Sequence, residues 1–269
     1  DIIGTTADLA ISGLIITEVH KSIDTQPLPP AEDRFVLKPN AWARRVEQLD
    51  LPPPNFALLA SPKWRFSSLI PARLPQAPRN LIDLSDYYNA ALVQSWHPGP
   101  MMGNNSLEVL PSGLLQLGGS VFDVRGIVQL AGKELFRSGP GGKVYPQQIT
   151  GIQIGQRCHL LHFLHAAGWN SRDGTRIGSY IVRYADDSEQ TIPIIYGEDV
   201  RDWNSGADAS EKLKSGMIVW RGVNRADMRV RLFKSTWVNP QPEAEITSID
   251  YVSTMASSAP FLLAITAEP

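Results

Sequence analysis

Three histidines spaced three apart, His159, His162 and His165, form the most metal-like pattern in this sequence. Imidazoles suit zinc, copper or iron. The spacing works against a shared site, because on a strand His159 and His165 face one way and His162 the other. On a helix, offsets of three and six fan the rings around the axis, so neighbours can pair but three do not converge. The competing reading is a half-buried strand whose histidines bond to their neighbours, and no metal ligand is assigned. A second group is acidic: Glu198, Asp199 and Asp202 follow Tyr196 and Gly197. A glycosidase needs two carboxyls about 5 to 9.5 Å apart with separated proton affinities. Neighbours on one loop do not face each other across a sugar ring, so these carboxylates read as solvated loop charge, one of them capping a turn. Structural calcium is a further option, since loop oxygens suit that cation, although no D-x-D-x-D-G spacing occurs. There is no G-x-S-x-G elbow and no evident Ser, His and Asp arrangement. Cys158 adjoins His159, but adjacent strand residues point to opposite faces, which disfavours a dyad. The sequence therefore assigns no catalytic residue and no cofactor. A hydrolase or metal enzyme built on these two groups is the least favoured of three readings.

Aromatic residues near turns carry the remaining chemical signal. Trp169 precedes the polar stretch NSRDGTR, and Trp203 sits within EDVRDWNSGADAS. A flat indole on a loop flanked by Arg, Asp and Asn suits a sugar, the ring covering its apolar C–H face while polar neighbours bond the hydroxyls. The candidate ligand-binding residues are Trp169, Arg172, Asp173, Tyr196, Asp199, Asp202 and Trp203. Burial beneath a loop is the alternative for both indoles. Trp220 and Trp237 lie inside strand-like runs and are expected to fill the interior.

The elements that must position these residues follow from composition and period. The chain has 269 residues, 19% charged, with 21 Gly, 21 Pro and a single Cys. A formal charge of −2 offers no footprint for a phosphate backbone, so nucleic acid is excluded as a partner. No stretch approaches the roughly 20 apolar residues that span a bilayer. One Cys excludes an internal disulfide and a multi-thiolate zinc site. Prolines crowd the first 78 residues, each fixing φ and removing a donor, so that region is neither continuous helix nor central strand. It is read as an extended, aromatic arm over residues 1–79 that lies on the rest of the protein, or as the end of a preceding module. Within it, the run from Leu9 to Val19 suits a strand and Ala41 to Leu49 a short helix. Asp83 or Ser85 is placed to cap another short helix through Leu92. Beyond Pro111, strand-like runs such as GLLQLGG, QQITGIQIG, GSYIVRYAD and PFLLAITAE are separated by turn residues. In one of them Tyr180, Val182 and Tyr184 share a face, and Asp186, Asp187 and Ser188 suit a hairpin turn. The expected fold is mainly β: an antiparallel sandwich, a jelly roll, over residues 80–269, with one or two short helices.

The ordered series LIDLSDYYNAAL, LPSGLLQLGGSVFDVRGIVQL, LHFLHAAGW, GSYIVRYADDSEQTIPIIYGEDVRDW, VWRGVN, WVNPQPEAEITSIDYVS and PFLLAIT resembles the NPCBM-like, galactose-binding-like β-sandwich modules of bacterial multidomain proteins. The resemblance covers residues 80–269. It implies a jelly roll that is non-catalytic, takes glycans or other domains of its parent protein as partners, and works outside the cell, in the periplasm or at the surface. This chain departs from the pattern at Asn204, where a second aromatic after Trp203 is expected. A start at Asp1 without Met leads to the expectation of a piece of a longer protein. The alternative function is a structural or protein-interaction module without a sugar ligand.

Overall fold

Short antiparallel strands build the body of this molecule, alternating where one face is solvated and buried on both faces where they are central. The strands are β1 (Ala90–Ala91), β2 (Gly113–Leu117), β3 (Ser120–Val124), β4 (Gly126–Gln129), β5 (Gln148–Gln156), β6 (Leu160–Gly168), β7 (Arg176–Tyr184), β8 (Glu189–Ile195), β9 (Met217–Val223), β10 (Arg229–Val238), β11 (Ile246–Ser253) and β12 (Ala259–Glu268). One short helix, α1 (Lys133–Arg137), follows β4. The computed structural model describes residues 67–97, 105–138 and 145–269, all within one compact unit, Ser61–Pro269. The expected strand at Leu9–Val19 and helix at Ala41–Leu49 lie outside the described residues.

Two antiparallel sheets face each other, with strand orders β1-β4-β12-β6-β10-β9 and β5-β11-β7-β8. From β4 to β7 the chain crosses to the other sheet at every connection. The late strands β11 and β12 are inserted between early ones. That is the jelly-roll arrangement, extended at its two edges by β1 and β9. The inner faces interlock through aromatic rings: Phe163 of β6 stacks on Tyr180 of β7 with centroids 4.0 Å apart, and Tyr180 stacks on Tyr251 of β11 at 4.9 Å. All three are buried, each contributing on the order of 1.5–3 kcal/mol by leaving water. As the alternation requires, Tyr180, Val182 and Tyr184 are buried while Arg183 is exposed. The β7–β8 hairpin turns at Asp187, whose φ is +65°, with the Ser188 N–H bonded to the Asp186 carboxylate at 3.0 Å.

The hairpin β2–β3 covers the outer face of the larger sheet. It turns on Gly118 and Gly119 (φ +53° and +84°), a mirror-type turn open to glycine. The Thr266 hydroxyl donates to the Val121 carbonyl at 2.6 Å, and Lys234 donates to the Gly118 carbonyl and to Ser120 Oγ. Gly118 lies against Val219 so closely that a Cβ would sit 2.4 Å from its Cγ1.

Two local expectations are corrected. The segment Asp83–Leu92 is not a helix. Asp83 does bond the Ser85 N–H at 2.9 Å, and Leu84 O accepts from Tyr87 and Tyr88. The chain then leaves that turn because Asn89 N–H bonds Ile127 O and Ala90–Ala91 pair with β4. Sheet pairing with Tyr88 fully buried outweighs one more helical turn. The indoles that fill the interior are Trp96 and Trp203, whereas Trp220 and Trp237 are half-buried. Upstream of Asn80, Arg73 bonds Asp123 at 3.1 Å and Arg79 bonds Gly155 O at 2.6 Å.

Candidate functional site

Where β6 ends, the chain makes an unusual turn. Gly168 is followed by Trp169 at φ +62°, a backbone region that bulky side chains rarely occupy. Two features hold it there. A Cβ on Gly168 would meet His97 Cε1 at 2.6 Å, so glycine lets His97 approach. The Trp169 carbonyl accepts from Ser258 Oγ at 2.8 Å, and that hydroxyl also meets Ser171 Oγ at 2.7 Å. The half-buried indole lies 4.8 Å from the His97 ring, and His97 lies 4.7 Å from Trp96. Gln129 Oε1 accepts from Trp96 Nε1 at 2.9 Å and meets His97 Nε2 at 2.8 Å. Burial pulls the imidazole down to about 4 against that hydrogen bond, so it is neutral at pH 7 and serves as an uncharged bed for Trp169.

Beneath this turn lies a network of charged groups whose guanidiniums are buried and whose rim is formed by the exposed Asp173. Arg201 donates to Asp173 at 2.7 Å, to Asp208 at 3.1 Å and to the Lys212 carbonyl at 2.8 Å. Arg231 donates to three backbone carbonyls, Asp202, Ser210 and Asp208. The Tyr196 hydroxyl donates to Asp208 at 2.7 Å and receives the Asp202 N–H. Asn170 links the Trp169 turn to this group by donating to the Ala207 carbonyl at 2.8 Å. Both guanidiniums are buried, which is tolerable because each of their nitrogens has an acceptor. Asp202 differs: its carboxylate takes the Asn204 N–H at 2.9 Å but makes no ion pair among the described residues. Burial pushes it up to about 7, with Asp208 adding to the rise and Arg231 opposing it.

The seven candidates thus divide. Trp203 is buried, its ring 4.8 Å from Trp96, and its N–H and carbonyl pair with Ala167 and Arg231. Tyr196 and Asp202 are buried in the network. Asp199 turns inward, accepting from the Ile195 N–H at 2.7 Å and Ser215 Oγ at 2.6 Å, and burial raises it above the ordinary carboxylate range. Asp173 is exposed but engaged by Arg201, and it rests on Gly197, whose Cβ would lie 2.6 Å from it. Trp169 and Arg172 remain on the surface side. His97, Asn170, Arg201, Asp208, Arg231 and Ser258 complete the site and were missed by sequence reasoning. The partners that place them in the site lie as far as 89 positions away, and no local motif marks them.

His162 and His165 face opposite sides of β6 as strand alternation requires, whereas His159 precedes the strand and does not share the face of His165. His159 is exposed before β6. His165 points inward between Tyr180 Oη (3.1 Å) and Ser235 Oγ (2.9 Å), and burial lowers it to about 3. His162 lies on the outer face, tying Thr236 of β10 to Glu268 of β12, each at 2.8 Å. Among the described residues, no group of three or more His, Cys, Asp or Glu side chains is arranged to hold a metal ion. Cys158 is buried, and desolvation pushes its thiol up to about 11, away from nucleophilic chemistry. No helix among the described residues is long and apolar enough to cross a membrane. No family model, no curated protein and no solved structure matches this chain, so the resemblance to galactose-binding-like modules rests on its ordered series of segments alone.

Proposed function

We propose that this chain is a non-catalytic carbohydrate-binding module of a larger exported or surface protein, with the rim around Trp169 as its ligand face. The observation that carries this reading is Trp169 itself. Its indole is half-exposed, held in a left-handed backbone conformation, and seated on a neutral His97 ring. A platform fixed in advance loses little entropy when a sugar ring settles on it. Arg172 and Asp173 on the same turn supply polar groups, while Trp203, Tyr196 and Asp202 support the turn from beneath. Retention on immobilised galactosides, plant polysaccharides and bacterial glycans, read with Trp fluorescence, tests the reading. Trp169→Ala is expected to weaken any binding at least about tenfold, or about 1.4 kcal/mol. Trp237→Ala, on β10, is expected to leave it unchanged. No retention on any of the three, or equal binding by both variants, would sink it.

A protein-interaction module without a sugar ligand is the second reading, and β9 favours it. This edge strand exposes Met217 and Val223 at 49% and 56%. An apolar sheet edge can accept a further strand. Sedimentation velocity distinguishes the two: self-association that Val223→Lys abolishes, with no glycan retained, would favour this module.

A further inference from the structure

Three stretches of chain are stitched into the rim that carries Trp169. Ser258 bonds Trp169 and Ser171, and Thr254 bonds the Arg176 and Ile177 backbone. Lys133 and Glu134, at the start of α1, donate their N–H groups to Ala256 and Ser257. The β6–β7 connection, the β11–β12 connection and the beginning of α1 are therefore contiguous. Their charges are unbalanced. Of the acids on these stretches, Asp173 is held by Arg201 at 2.7 Å and Glu134 by Arg137 at 3.7 Å. Arg172, Arg176 and Lys133 are exposed and make no ion pair with the described residues. This local excess of positive charge stands out on a chain whose formal charge is −2. Below the surface Arg201 and Arg231 share the carboxylate of Asp208.

We infer that the ligand of this rim is an anionic glycan, a sugar bearing carboxylate or sulfate groups, with Trp169 covering a ring face and Arg172, Arg176 and Lys133 taking the charge. The inference rests on the glycan-binding reading and adds the substrate class. A guanidinium fork matches either anion with two parallel N–H···O bonds. The charges also raise the local concentration of an anionic ligand, an effect that salt screens.

Isothermal titration with a galacto-configured series tests it: hexagalacturonate, a sulfated galactan oligosaccharide and neutral β-1,4-galactohexaose. At about 50 mM salt at least one anionic member should bind about tenfold or more tighter than the neutral one, and the preference should shrink steeply near 0.5 M. The stronger anionic member identifies carboxylate or sulfate as the group read. Arg172→Ala, Arg176→Ala and Lys133→Ala should each weaken anionic binding roughly two- to fivefold, the scale of an exposed ion pair. Arg157→Ala, before β6 and so at its other end from Gly168, should change nothing. Equal affinity for all three, with Trp169→Ala losing each, would overturn the charge inference and leave the glycan reading standing. Equal losses from Arg157→Ala and Arg172→Ala would reduce the preference to unspecific polyanion attraction and overturn it as well. Binding of none of the series, with neutral glycans retained elsewhere in the screen, would overturn it alone. Failure on every glycan would remove both.

Discussion

Replacing Asp202 with asparagine should stabilise this protein at alkaline pH and do little in acid. The carboxylate is 4% exposed and lacks an ion pair among the described residues. Burial lifts it from 3.8 to about 7. The folded state therefore binds more protons than the unfolded chain between those values. Stability from this group is fully present below about pH 4, is lost as pH rises to about 7, and then stays low. The whole interval corresponds to at most about 4 kcal/mol, and solvent relaxation leaves about 1–3 kcal/mol as the realistic range. Asparagine keeps an oxygen for the Asn204 N–H and carries no charge, so Asp202→Asn should gain that amount at pH 8. At pH 4 it should match the parent within about 0.5 kcal/mol. Urea unfolding followed by fluorescence of the buried Trp96 and Trp203 reads the difference at both pH values. The comparison with the parent at each pH cancels the other titrating groups, including Asp199 and the buried histidines. A variant that is less stable than the parent by the same margin at pH 4 and pH 8 would refute the reasoning. It would mean that the carboxylate acts only as a hydrogen-bond acceptor and is ionised throughout.

Other predictions follow from the same interior. Trp203→Ala removes a buried indole packed on Trp96 and Phe261, and should cost about 3–5 kcal/mol in the same urea assay. A loss below about 1 kcal/mol would contradict its place in the core. His97, lowered to about 4 against an unfolded value of 6.5, lends stability that is complete above pH 6.5 and lost as pH falls through 4. His97→Gln should therefore flatten the acid limb of the melting-temperature profile, and an unchanged slope between pH 6.5 and 4 would exclude that assignment.

How much of this was legible in the sequence depends on whether a residue's partners are near it in the chain. Strands with one buried face were legible because alternation is a local signal, as in Tyr180, Val182 and Tyr184, and the doubly buried β6 and β12 because they are short apolar runs between turn residues. The turn residues Asp186, Asp187 and Ser188 likewise announced the β7–β8 hairpin. Trp203 was not legible, because EDVRDWNSGADAS reads as a solvated loop. Its Arg201 and Asp208 are charged yet enclosed, paired with each other, with Asp173 and with the distant Arg231, while Asp202 is enclosed without an ion pair among the described residues. Charge signals exposure only when no such compensation exists. The helix expected at Asp83–Leu92 failed for the opposite reason. Its cap was real, but the edge of β4 offered Asn89, Ala90 and Ala91 a better use of their backbone. Trp169 was placed correctly on a turn, although its left-handed conformation depends on Gly168, His97 and Ser258, which no window around it contains.

The insertion of β11 and β12 into the middle of the two sheets has a consequence for how the protein is made. Each occupies a central position, β12 between β4 and β6, and β11 between β5 and β7. A nascent chain that has emerged only through β10 holds the outer strands of both sheets but neither central partner. Closure must wait for the segment from Ile246 to Glu268 to leave the ribosome. Such long-range pairing folds slowly. Until then β5 has no partner strand, and the edges of β4, β6 and β7 that β12 and β11 will cover stand open, the condition in which chaperones engage a growing polypeptide.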